Sequence, residues 1–207
     1  NVRLNASYNT NHNKVLSIGN AVPFAIGGFS SRTVQTVVAE GEPVGFIRGY
    51  KAVLNPDNSL KEILPLQNLG STLPTAYGNF SLSASYKNLS FMLSGDYQYG
   101  AYVHSFDRQF RFSKGLKDDA IPEKALEGLD QGANWLNFTN FFVEKSDFLK
   151  IRNIGIAYDY KPKKYLKSVN LAFNVYNPFA FTASSVDPEA ALAGARSQGA
   201  VAVGGLN

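Results

Sequence analysis

The sequence predicts an all-β fold: an antiparallel transmembrane β-barrel segment with long extracellular loops, a fragment of a larger barrel. Three observations lead there. Apolar and polar residues alternate with period two over stretches of about 10 to 14 residues, enough for the roughly 9 to 11 tilted residues that cross a bilayer. The polar partners in that alternation are mainly Ser, Asn, Gln and Gly, whereas the outer face of a soluble sandwich usually carries many charges. Tight turns join the strands on one side and long connections on the other, the asymmetry of an outer-membrane barrel.

Composition narrows the classes further. The 207 residues hold one domain or at most two small ones. They include no cysteine, which removes disulfide scaffolds, cysteine zinc sites, iron–sulfur clusters and thiol catalysis. Charged residues make up 17%, below the roughly one quarter of ordinary globular proteins, and aromatics are abundant instead, with 11 Tyr, 15 Phe and 1 Trp. No run approaches the roughly 18 to 20 apolar residues of a spanning helix, so a helical membrane protein is excluded. The net charge of +4 is scattered, and no nucleic-acid partner is expected. Asn1 already sits in mid-pattern, so the expectation is a piece of a longer chain.

Along the chain, residues 1–9 place Val2, Leu4, Ala6 and Tyr8 on one face and Arg3, Asn5, Ser7 and Asn9 on the other. Residues 78–102 read as a hairpin about the turn Lys87-Asn88. Phe80, Leu82, Ala84 and Tyr86 alternate with serines before it; Leu89, Phe91, Leu93, Tyr97 and Tyr99 alternate with Ser90, Met92, Ser94, Asp96 and Gln98 after it. A second pair follows. Ile154, Ile156, Tyr158 and Tyr160 form one face of an arm that turns at Lys161-Pro162-Lys163-Lys164, and Val169, Leu171, Phe173 and Val175 continue that face on the return. With the long connections outside, strands 1–9, 89–102 and 169–181 run outward, while 78–86 and 148–160 run inward. About five wall strands result; bacterial barrels begin at about eight, so five cannot close one.

The long connections are 10–75, 103–147 and 182–207. Residues 32–38 and 44–50 are expected as short strands, residues 51–74 as turn-rich around Pro56-Asp57-Asn58, Pro65 and Pro74, and residues 118–127 as a short helix. The serines at 81, 83, 85, 90 and 94 follow the strand period and read as lining, not as nucleophiles. His12 and His104 fall in loops with no partner at a telling spacing, so the default for both is solvent exposure, and neither a metal nor a catalytic site is expected. Acceptor patterns for glycosylation at Asn5, Asn79, Asn88 and Asn137 read as chance, and the Gly27-Gly28 and Gly204-Gly205 pairs give no phosphate cradle.

Several stretches resemble, in order, the C-terminal barrel region of SusC/RagA-type TonB-dependent outer-membrane receptors. They are NVRLNASYNTNHNKVLSIG, GEPVGFIRGYKAV, PTAYGNFSLSASYKNLSFMLSGDYQYG, VEKSDFLKIRNIGIAYDYKP, and VNLAFNVYNPFAFT leading into Val186-Asp187-Pro188-Glu189. Lys150 stands where the family more often has Arg, and Arg152 where it has Lys. Residues 51–74 lack the family's Asp-rich, Gly-spaced stretch, so no calcium-type site is carried over. The chain stops at Gly205-Leu206-Asn207, where the family has one more loop and a final inward strand. The resemblance implies a protein of the bacterial outer membrane with a plug domain and a TonB-contacting segment outside this chain. It also implies a SusD-like surface lipoprotein as partner, energy-coupled import of glycans or peptides, no cofactor and no enzymatic activity.

Aromatic residues of the second long loop admit two roles. Phe106, Phe110, Phe112, Trp135, Phe138, Phe141 and Phe142 either staple the loop and meet the lid protein or form a ligand platform, with Phe110, Phe112, Trp135 and Phe138 as the substrate-binding candidates. Lys150 with Arg152, and Lys163 with Lys164, read as anchors for lipid headgroups or solvated turns. Other readings stay open: a passive channel or adhesin barrel, a soluble β-rich carbohydrate-binding module whose apolar faces pack together, and an outer-membrane hydrolase.

Overall fold

The computed structural model describes residues 1–28, 34–162, 167–187 and 201–202. Lys163, Lys164, Pro188-Glu189 and Gly204-Gly205 lie outside the described residues. In chain order the strands begin with β1 (Val2–Ala6), β2 (Asn9–Thr10), β3 (Phe24–Gly28), β4 (Val34–Val38), β5 (Phe46–Leu54) and β6 (Leu60–Ser71). They continue with β7 (Ala76–Tyr86), β8 (Leu89–Tyr99), β9 (Tyr102–Ser105), β10 (Val143–Lys145), β11 (Phe148–Tyr160), β12 (Val169–Thr182) and β13 (Val201–Ala202). Helices α1 (Phe106–Ser113) and α2 (Gln131–Asn134) and the 3-10 segments Glu123–Leu126 and Trp135–Phe142 lie between β9 and β10. The chain divides into two compact units. One comprises Asn1–Thr10, Ala76–Tyr99 and Phe148–Thr182; the other comprises Asn11–Thr75, Gly100–Asp147 and Ala183–Asn207.

The first unit is one antiparallel sheet in the order β1-β7-β8-β11-β12, with β2 continuing β1 along β7. Between β1 and β2 the ladder is kept by the Ser7 N–H, which donates to the Asn79 carbonyl at 2.8 Å. The two-residue turn at Lys87-Asn88 pairs Tyr86 with Leu89 and thereby fixes the hairpin register. Register then carries the alternation across the sheet. Val2, Ala84, Phe91, Ile156 and Phe173 stand side by side in one row, and Leu4, Leu82, Leu93, Ile154 and Val175 in the next. On the other face the neighbouring rows are Arg3, Ser83, Met92, Gly155 and Asn174, then Asn5, Ser81, Ser94, Asn153 and Tyr176. Every position that these registers assign to the first face is Ala, Gly, Val, Leu, Ile, Phe or Tyr; β2 adds Thr10, beside Ala76 at the loop end.

That apolar face packs into no hydrophobic cluster among the described residues. Phe80, Leu82, Phe91 and Leu93 join none of them, and Phe173 is 70% exposed and Leu4 70%. Nearly all buried apolar side chains belong to the second unit, Phe148 being the exception. On β8 the apolar face runs from Leu89 to Tyr99, about 33 Å of strand and about 25 Å along the normal at the usual barrel tilt, the height of a barrel's apolar band.

A β-bulge interrupts the alternation at Arg152. On one side Ile151 pairs with Gly95 and on the other Asn153 pairs with Ser94, so Arg152 is an extra residue against β8; against β12 it faces Asn177 and Pro178, with Asn177 at φ 50°. The phase of β11 therefore slips. Phe148 and Lys150 share the polar face with Asn153 and Gly155, while Leu149 and Ile151 share the apolar face with Ile154 and Ile156. This corrects the headgroup-anchor reading of Lys150 and Arg152. Lys150 is buried in register with Asp96, and the Arg152 guanidinium donates through Nε and through Nη2, the latter at 2.9 Å, to both oxygens of Asp96.

The second unit has its own sheet, β3-β4-β5-β6, and a β9–β10 pair extended by β13 in parallel. The strands expected at 32–38 and 44–50 are β4 and β5. The stretch expected to be turn-rich instead contains the twelve-residue β6. It accommodates Pro65 because it is a sheet edge, where a missing N–H leaves no ladder bond unmade, and the β5–β6 register slips beside Pro65 and Leu66. The outward strand 89–102 ends early at Tyr99, since Gly100 turns the chain at φ 84° and its N–H donates to Asp147 Oδ1 at 2.6 Å. Of the helix expected at 118–127 only the 3-10 turn Glu123–Leu126 forms.

The Asp96–Arg152 pair is about one third exposed, so solvent screening holds its worth down. A double-mutant cycle on Asp96→Asn and Arg152→Ala in the full-length protein is expected to give a coupling of about 1 kcal/mol by denaturant unfolding. Coupling indistinguishable from zero would mean that the ion pair does not hold the bulge.

Candidate functional site

Two surfaces concern function, one in each unit. In the first, an open groove of about 680 Å³ crosses the sheet toward its tight turns, lined on the polar side by Arg3, Ser83, Ser85, Ser90, Met92 and Asn174. Arg3 apart, these are short or neutral side chains. Such a surface stays hydrated without gripping a solute, and it presents no nucleophile with an adjacent base. The serines thus lie where the strand period puts them. Asp96 and Arg152 are the charged feature of this face that sequence reading missed. Its signal was a spacing: apolar residues step by two through Leu149 and Ile151, then by three to Ile154, and on β12 by four from Val175 to Phe179.

In the second unit the candidate aromatics separate by burial. Phe112 and Phe138 are 1% and 0% exposed and meet edge to face at 5.8 Å, with Phe142 at 5.5 Å from Phe112. Together with Ala52, Ile121 and Ala125 they form a core against which Trp135 and Phe141 are half-buried. Phe112 and Phe138 therefore present no ring face to a ligand; they staple the loop. Phe110 is the candidate that stays exposed, stacked on Phe106 at 5.8 Å and with Lys114 Nζ 5.1 Å from its ring centre.

Helix α1 places these rings. Asp107 and Arg111 pair at i,i+4, and the helix stops in a Schellman turn: Gly115, at φ 84°, donates to the Phe112 carbonyl and Leu116 to the Arg111 carbonyl. Gly115 was the sequence signal for a helix that the pattern reading passed over. From the same helix Arg108 reaches Asp118, at 2.9 Å from Nε, and Glu144, while lying over the Phe142 ring. The Asp118 hydrogen bonds, against the cost of burial, hold Arg108 above its ordinary pKa. Burial opposes ionisation of Asp118, yet Arg108 and the Ala120 N–H outweigh it and keep this carboxyl below the usual range. Glu144 also accepts from Ser185 Oγ at 2.7 Å, so one guanidinium ties three segments of the unit together.

His104 corrects another expectation. It is fully buried, whereas His12 is exposed. Its Nε2 donates to Gln109 Oε1 at 2.5 Å, because Gln109 spends its own N–H groups on Thr139 and the Trp135 carbonyl. Nδ1 is then a buried acceptor with no hydrogen-bond partner among the described residues. Burial pushes the imidazole down to about 4 against weaker opposition from Gln109 and Glu144, so it is neutral at pH 7. Among the described residues no group of acidic or histidine side chains is arranged to hold a metal ion.

No protein-family model matches the chain, and no curated protein matches it. Solved structures do. A chain of the RagAB peptide transporter superposes with a TM-score of 0.61 at 18% identity over 91% of this chain. The RagAB peptide importer gives 0.63 at 16% over 91% in its "closed-closed" state and 0.62 at 17% over 97% in its "open-open" state. Each match spans 24% of the solved chain. At this identity the likeness shows the fold: an antiparallel β segment of the kind found in a barrel transporter, in which no sheet of the described residues closes.

Two measurements check the assignments in the second unit. Phe112→Ala and Phe138→Ala are each expected to cost about 3 to 5 kcal/mol by denaturant unfolding, and Phe110→Ala well under half of that. Because the folded state holds His104 neutral and the unfolded chain does not, stability is expected to be full above about pH 6.5 and to fall as pH drops toward 4, by about 3 kcal/mol at most. His104→Gln should flatten that slope; an unchanged slope would remove His104 as its source.

Proposed function

We propose that this chain is a wall segment, with its long connections, of a SusC/RagA-type TonB-dependent receptor in the bacterial outer membrane. The whole protein then imports nutrient oligomers, glycans or peptides. A SusD-like lipoprotein serves as its lid, and energy reaches a plug outside this chain through TonB. The transport involves no covalent chemistry. This segment supplies a lipid-facing surface, a hydrated inner surface and folded connections; it is scaffold and not the coupling device.

One observation carries the reading: a sheet face that, Thr10 at its loop end apart, consists of hydrocarbon side chains, glycine and tyrosine and packs into no protein core among the described residues. Exposed apolar patches on soluble monomers rarely exceed a few hundred Å², and a face four to five strands wide needs a hydrocarbon solvent. The same observation disfavours the soluble carbohydrate-binding module, whose apolar faces would seal against each other. The ordered family resemblance and the fold likeness to chains of a peptide importer support an energy-coupled importer over a passive channel.

Depth gives the test. In the full-length protein, Val175→Arg, at mid-band on the apolar face, is expected to cost about 2 to 4 kcal/mol of stability in a bilayer, and Leu171→Arg near the band edge about 0 to 1. Asn174→Arg on the opposite face should cost little. Equal costs at 174 and 175 would contradict the proposal.

A further inference from the structure

Resting on the wall reading, we propose that the turn-side rim of the apolar face binds the anionic headgroups of phospholipids in the periplasm-facing leaflet. The rim is a row of paired residues, Tyr86, Leu89, Tyr158 and Leu171, followed by Tyr160 beside Val169. All three tyrosines are exposed. Tyrosine at such a row has its ring in hydrocarbon and its hydroxyl at headgroup level. Immediately beyond the row come Lys87, Lys161 and Lys167, each exposed. The two turns are held side by side, since the Asp159 N–H donates to the Asn88 carbonyl at 2.8 Å.

Charge at this edge is one-sided. Asp159 is its acidic residue among the described ones, and it lies on the polar face, accepting from Asn170 Nδ2 at 2.7 Å. Lys87 adopts φ 52°, a left-handed conformation usually left to Gly or Asn, and its ammonium stands 5.2 Å from the Tyr86 ring centre, which keeps it at the margin of the apolar face. The opposite edge differs. There the apolar face ends on Tyr99, Leu149 and Phe181, and the wall's basic groups in that half, Lys150 and Arg152, belong to the polar face because of the bulge. Among the described residues of the first unit, cations thus flank the apolar face at its turn edge, and those near its other end belong to the polar face. Lysine ammoniums donating at headgroup level match a phosphodiester that carries net negative charge, and a zwitterionic headgroup offers them no such match. Lipid A carries phosphate of the same chemistry but occupies the leaflet at the other edge.

The test uses the full-length protein in nanodiscs of phosphatidylethanolamine mixed with phosphatidylglycerol, with retained lipids counted by native mass spectrometry. Phosphatidylglycerol is expected to be enriched around the wild type. The enrichment should fall by about threefold or more in the triple variant Lys87→Asn, Lys161→Gln, Lys167→Gln, and also with added salt. Asn at 87 keeps the left-handed turn while removing the charge, and Lys145→Gln in the second unit should leave the enrichment intact. Normal insertion with the same lipid preference in the triple variant overturns this inference alone, as does displacement of phosphatidylglycerol when lipid A is added to the same nanodiscs. Failure to insert into any composition overturns the wall reading and this inference with it.

Discussion

Backbone polar groups in hydrocarbon have no water to turn to, and in the proposed setting that condition governs the first unit. Five strands meet it by pairing with their neighbours over their full length, so the side chains are free to separate by solvent, hydrocarbon on one flank and water on the other. Strand length follows from the same condition, since each strand must carry paired backbone through the whole apolar band. The outermost strands, β1 and β12, each have one side unpaired among the described residues. In the proposed setting those edges require further strands, because each unsatisfied amide in the bilayer costs several kcal/mol.

The bulge at Arg152 shows how strictly the two faces are kept apart in residue type. A strand of unbroken alternation through residues 148–160 would have placed Lys150 and Arg152 on the face of Ile154 and Ile156. One inserted residue re-aims both cations, while β12, with the two residues Asn177 and Pro178 opposite Arg152, keeps its odd-numbered positions on the apolar face on both sides of the bulge. Charge in the wall is thereby confined to the hydrated flank, where Arg152 meets Asp96, and to the turn edge. The second unit solves the opposite problem with the opposite means: its apolar residues gather inward around Phe112, Phe138 and Phe142, and one guanidinium bridges the segments that surround them.

The wall was legible in the sequence because period two is a local signal and the registers simply extend it. Strand pairing, turn position and the identity of both faces followed from residues such as Phe80, Leu82, Phe91 and Leu93. Residues 51–74 misled because proline and turn residues outvoted a strand whose edge position, a tertiary fact, makes Pro65 harmless. The aromatics of the second unit were ambiguous for a related reason. Composition cannot separate Phe110 from Phe112, two residues apart on one helix with one ring outward and the other in the core. His104 was misplaced because its burial depends on Gln109 and Thr139, which no spacing rule links to it.

A nitroxide scan of β12 in the full-length protein in lipid, comparing collisions with dissolved oxygen and with a water-soluble nickel chelate, tests whether one flank of this sheet meets hydrocarbon. Oxygen access should peak at Leu171, Phe173 and Val175, and the chelate should peak at Asn170, Asn174 and Tyr176. The odd-numbered oxygen pattern should be interrupted at Asn177, opposite the bulge, and resume without a change of phase at Phe179 and Phe181. Equal access on both flanks, or greater chelate access at Phe173 and Val175 than at Asn174, would contradict it.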